Sequence, residues 1–133
     1  MAKGQFAEQM RRIVSTQKER IEYVRRRSII ALFDMVVLRT PVDTGRLRGN
    51  WVCTIGGPNE ASQAAIRSMA ETKRQNEAKV NESTFKDVVY LTNNLTYAVA
   101  IEYGHSAQAP QGMMRVSAAQ WPAIVKRTAK KYQ

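Results

Sequence analysis

The stretch Thr40-Pro41-Val42-Asp43-Thr44-Gly45-Arg46-Leu47-Arg48-Gly49-Asn50-Trp51 constrains the fold of this 133-residue chain more than any other, because it joins a long helical pattern to a segment of strand character. Proline lacks an amide donor and disfavours helical geometry in the residue before it, so Pro41 ends the preceding helix at Thr40. Asp43 and Thr44 carry side chains that accept local backbone N–H bonds, and Gly45 is free to take positive φ. The spacing therefore predicts a tight reversal, followed by a strand from Leu47 to Ile55 that contains Trp51 and ends at Gly56-Gly57-Pro58.

Upstream of the turn, one helix is expected from about Gln5 to Leu38. Phe6, Met10, Ile13, Val24, Ala31, Met35 and Leu38 fall near one face, with Ile21 and Leu32 beside it. Residues 1–27 are polar and basic, whereas 28–38 are apolar apart from Ser28 and Asp34. The second half is thus expected in the core, and the first half is expected to project or to pack on another subunit. A calmodulin-target or membrane-surface helix is the competing explanation of a basic amphipathic segment.

Downstream, residues 58–86 read as a polar insert, helical over 60–80 or mobile. Its apolar face is thin: Ala61, Ala64, Ala65, Met69 and Ala70. A second strand is expected from Phe85 to Thr92. Tyr97 to Tyr103 is ambiguous between strand and helix, Gly104 to Gly112 reads as a loop, and Met113 to about Lys131 as a final helix delayed or kinked by Pro122. One α+β domain over residues 1–133 follows: a short, mostly antiparallel sheet flanked by a long N-terminal and a C-terminal helix.

Charge sharpens this picture once it is located. The chain carries a formal +10, divided as +5 over residues 1–40, zero over 41–112 and +5 over 113–133. A neutral centre with basic ends points to a fold-making middle and to flanking helices that meet an acidic partner, either DNA or the rim of another protein. Arg11, Arg12, Arg25, Arg26 and Arg27, then Lys126, Arg127, Lys130 and Lys131, are the candidate contacts. A solvated basic face is the structural alternative.

Catalytic patterns fare poorly. Asp43-Thr44-Gly45 is the tripeptide of retroviral-type aspartic proteases, but those need an all-β scaffold and an apolar residue where Arg46 stands. Cys53 reads as a core residue and His105 as a loop residue without imidazole partners for a metal. No glycine loop is followed by a lysine and a hydroxyl residue. Glu102 is expected to pair with Arg46 or Arg48. No enzyme activity, cofactor or metal is expected. With one cysteine and no apolar leader or spanning run, the sequence predicts a soluble protein made and used in the cytoplasm, with no membrane partner.

Three segments carry a resemblance. They are Thr40 to Arg48 (TPVDTGRLR) with Trp51, then Val89 to Tyr97 (VYLTNNLTY) leading into Ile101 to Ser106 (IEYGHS), then Ala109 to Arg115 (APQGMMR). In order and spacing they resemble the type 1 neck and tail-completion proteins of long-tailed bacteriophages. The strongly charged first helix and the insert at 58–86 depart from the family. The resemblance implies a structural virion protein, assembled in the host cytoplasm, that forms a ring, usually six-fold, between head connector and tail terminator around the DNA path. It implies a helical turn near Tyr97 to Tyr103, with Pro41, Asp43, Thr44, Gly45, Arg46, Leu47, Trp51, Tyr97, Glu102 and Gly104 as motif positions. His105, Pro110, Met113 and Met114 are candidates for subunit docking. A free, non-specific DNA-binding protein of a phage or mobile element is the alternative of another class.

Overall fold

A computed structural model describes residues 2–42, 45–61, 67–104 and 106–132. Helix α1 spans Ala2–Arg39, and Thr40 closes it with its hydroxyl donating to the Val36 carbonyl at 2.7 Å, just before Pro41. A short 3-10 turn at Arg48–Asn50 leads into strand β1, Val52–Ile55. Helix α2 (Met69–Glu82), strand β2 (Val89–Thr92) and three short helices follow: α3 (Ala98–Glu102), α4 (Met114–Ala118) and α5 (Trp121–Lys131). The architecture is α+β, as the sequence predicts.

β1 and β2 pair antiparallel with Val52 opposite Thr92 and Ile55 opposite Val89. Two strands alone are marginal in water, so this ribbon depends on the helices that cover it. The first strand is shorter than Leu47 to Ile55 because Gly49 N–H bonds back to Gly45 O (2.9 Å) and Asn50 N–H to Leu47 O (3.2 Å), coiling the chain before it extends. Gly49 also lies under the Arg67 backbone, where an added Cβ would sit 2.6 Å from the Arg67 carbonyl oxygen. The second strand likewise begins at Val89, since Thr84 to Asp87 form a turn in which the Thr84 N–H donates to the Asp87 carboxylate at 2.8 Å. Phe85 and Val88 stay exposed.

The α2 portion of the insert is an integral part of the fold rather than a loosely packed one. Ser68 caps it by accepting from Glu71 N–H, the pattern expected of a serine three residues before a glutamate. The buried seam is Thr72, Asn76 and Val80, at helical spacing, while Met69, Ala70 and Ala61 are exposed. An apolar pattern misses this seam because two of its members, Thr72 and Asn76, are polar. Asn76 accepts from Cys53 N–H (3.0 Å) and donates to the Trp51 carbonyl (3.2 Å), satisfying backbone groups beside β1. The predicted helical residues 62–66 lie outside the described residues.

α1 divides as expected. Its second half buries Ile30, Phe33, Val36 and Val37, and its first half is exposed. The buried face differs from the predicted one: Leu38 is exposed, and Ala31 and Met35 are half-buried. In a run that is apolar on nearly every side, periodicity alone cannot choose the side. Residues 98–102 are helical, resolving the ambiguity of that segment. The final helix is broken into two at Ala119 and Gln120, and Pro122 occupies the first turn of α5, where its missing N–H costs nothing.

Candidate functional site

The three segments that carry the resemblance meet in one place. Val36, Val37, Leu47, Trp51, Leu95, Ala98, Ala109 and Met113 form a single buried cluster, with Leu91, Ile101 and Met114 packed against it. Trp51 is its anchor. The indole N–H donates to the Thr40 hydroxyl at 2.7 Å, and that hydroxyl donates onward to Val36 O, so the ring's one polar atom is satisfied inside the core. Leu47 is held at the other side of the turn, where Asn93 donates to its carbonyl at 2.8 Å. Arg67 closes the outside, donating to Gly49 O (2.7 Å) and Trp51 O (3.1 Å). Gly45 takes φ +84°, as its place in the turn requires. Asp43 and Thr44 lie outside the described residues.

Glu102 is the second organising residue, and its partner corrects the expectation. Its carboxylate accepts from the backbone N–H of Met113 (2.8 Å), Met114 (2.6 Å) and Arg115 (3.0 Å), and from Arg115 Nε at 3.0 Å. Arg48 turns instead to the carbonyls of Leu38 and Thr40, both at 3.1 Å. The carboxylate thus closes the start of α4, eleven residues ahead in sequence. Burial by itself raises the Glu102 pKa; the three N–H donors and the Arg115 guanidinium outweigh it and hold the group below the ordinary carboxylate range. Gly104 (φ +90°) and Gly112 (φ +87°) bend the intervening loop back. A Cβ on Gly112 would come within 2.2 Å of Glu102 O.

This clasp relocates two predicted docking residues. Met113 is 1% exposed and so is not free to meet a neighbour, whereas Met114 is half-buried and packs against the core. Pro110 is exposed, as is Tyr97, and His105 lies outside the described residues. The loop's accessible part is 107–111, apart from buried Ala109.

The cations separate into three groups. Arg11 and Arg12 stand exposed on the projecting half of α1, each within 3.6 Å of Glu8. Arg25 and Arg26 are structural ties: Arg25 donates to the Ser83 hydroxyl (2.9 Å) and Arg26 to the Ser83 carbonyl (3.2 Å), and both pair with Glu22. Ser83 ends α2, so two guanidinium groups meet the negative end of that helix. Arg27 faces solvent between Tyr23 and Glu77. Lys126, Arg127, Lys130 and Lys131 are all exposed on α5. Sequence reasoning grouped Arg25, Arg26 and Arg27 by adjacency, but successive residues on a helix point about 100° apart.

The Cys53 thiol is not an activated nucleophile. Cys53 is buried beneath α2, and desolvation pushes its thiol up to about 11, away from the reactive thiolate. Among the described residues no cluster of three or more His, Cys, Asp or Glu is placed to hold a metal ion, and no helix is long and apolar enough to cross a membrane. Arg67, Asn76, Ser83 and Arg115 were absent from the sequence-derived site. Their roles come from partners 13 to 58 residues away, except for Ser83's bond to Val80. No protein-family model, curated protein or solved structure matches the chain.

Proposed function

We propose that the protein is a structural, ring-forming component of a bacteriophage neck, placed between head connector and tail terminator around the DNA path. One observation carries the proposal: the three segments that resemble neck and tail-completion proteins, far apart in sequence, converge on a single core cluster and its Glu102 clasp.

Within such a ring, exposed Arg11, Arg12, Lys126, Arg127, Lys130 and Lys131 are the residues suited to acidic neighbours or to DNA phosphates, which need charge and no base-edge chemistry. A closed cyclic ring satisfies a repeated head-to-tail contact, and six-fold symmetry is the stoichiometry the resemblance implies. The test is light scattering and negative-stain imaging of the purified protein mixed with assembled phage tails lacking this component. A ring at the tail tip supports the proposal. A protein that ignores tails and binds duplex DNA, with affinity falling steeply as salt rises, refutes it in favour of a free DNA-binding role.

A further inference from the structure

The first half of α1 leaves an apolar face uncovered. Phe6, Met10, Ile13, Val14 and Ile21 are 44–65% exposed. At about 100° per residue they share one side of the helix with Gln17, with Arg20 at its edge beside Ile13, whereas Glu8, Arg11, Arg12, Ser15, Lys18 and Glu19 lie on the other. The same line continues through Val24, Ser28, Ala31 and Met35, where the domain covers it; Ser28 is buried and the others are half-buried. A face partly covered at one end is therefore bare at the other. A projecting helix of this length is marginal in water without a partner.

The spacing identifies the partner. Phe6 and Ile21, Met10 and Gln17, and Ile13 and Val14 are placed symmetrically about the midpoint between residues 13 and 14. Two copies laid antiparallel about that point bring each member of a pair opposite the other: Phe6 meets Ile21 and Ile13 meets Val14, while Met10 lies against the Gln17 side chain between them. The charged faces point outward, where the Glu8 pairs with Arg11 and Arg12 already balance part of the charge. We propose that the uncovered face of α1 between Phe6 and Val24 is a two-fold interface with a second copy of this chain. Burying half the surface of a helix roughly 30 Å long and about 10 Å wide removes roughly 500 Å² per copy, about 1,000 Å² in all, at the low end of specific interfaces. The dimer is consequently weak and reversible. This goes beyond the neck proposal and does not depend on it.

Sedimentation equilibrium of the full chain tests the mass, and paired cysteine variants test the geometry. A reversible dimer is expected, with Ile13→Glu raising the dissociation constant at least about tenfold while Trp51 fluorescence stays that of the folded core. Phe6→Cys mixed with Ile21→Cys should cross-link on oxidation, and neither should cross-link to itself. A monomer at millimolar concentration, self-cross-linking of Phe6→Cys alone, or an oligomer in which Phe6→Cys and Ile21→Cys fail to cross-link overturns the proposal. So does a monomer that co-sediments with vesicles of phosphatidylcholine and phosphatidylserine, which would assign the face to a lipid surface.

Discussion

Replacing Glu102 by Gln isolates what its charge does, because the shape is kept. The amide oxygen can still accept from Met113 and Met114, so those two bonds survive. The amide nitrogen then faces the Arg115 N–H and Nε, donor against donor. Leaving that backbone N–H without an acceptor costs about 1–3 kcal/mol. The lost ion pair adds less than about 1 kcal/mol, since Arg115 is 60% exposed and screened by solvent. The sum, about 2 kcal/mol, lowers the urea midpoint by about 1 M at a slope near 2 kcal/mol/M. The pH dependence carries the stricter test. The folded Glu102 pKa lies below its ordinary value of 4.5, so its stabilisation is complete above that value and is lost as pH falls through the folded one. Urea curves for both proteins, at pH 7 and stepwise below pH 4.5, should therefore diverge at neutrality and converge in acid. A gap under about 0.5 kcal/mol at pH 7, or one that persists unchanged in acid, would refute the assignment.

Trp51→Phe should cost about 1–2 kcal/mol through the lost indole N–H bond to Thr40 and the smaller ring, and Trp51→Ala about 3–5 kcal/mol through the cavity, both read by thermal denaturation; an unchanged melting temperature places the ring outside the core. The double replacement Arg25→Ala with Arg26→Ala should destabilise by about 2–4 kcal/mol, because it strands the partly buried Glu22 carboxylate and frees Ser83, whereas Arg27→Ala should stay within about 0.5 kcal/mol. Equal effects from the two would contradict the division of the arginine run. Gly112→Ala should prevent folding as judged by near-ultraviolet circular dichroism, since the added methyl collides with Glu102 O at positive φ; a native spectrum would show that the loop can rearrange.

What the sequence exposed and what it hid divide along physical lines. Pro41, Gly45 and Gly56 act locally, so the end of α1, the turn and the end of β1 are readable from neighbouring residues alone. Trp51 is large and apolar, and its burial follows from type and place. The Thr72, Asn76 and Val80 seam is invisible to a hydrophobic pattern, because two of its members are polar and one of them, Asn76, serves backbone groups more than twenty residues earlier. The Glu102 clasp escapes for a similar reason: nothing in a carboxylate's identity tells which of several arginines or free N–H groups it will meet. Glycines at 104 and 112 mark a bent loop, yet the path that brings Met113 inward exists only in three dimensions. Among the cations the composition located the charge correctly along the chain, while the three consecutive arginines needed coordinates to be told apart.

The uninterrupted course of α1 has a mechanical consequence. From Ala2 to Arg39 it has no proline and no break, and its second half is gripped by the core and by the Arg25 and Arg26 ties to Ser83. The projecting half is then a lever roughly 30 Å long fixed at one end. A tilt of about 5° where it enters the domain displaces the tip by roughly 2–3 Å, enough to change which side chains meet there. Whatever grasps the tip therefore senses the packing around Ile30 and Phe33, and a strain applied at the tip is delivered to the end of α2.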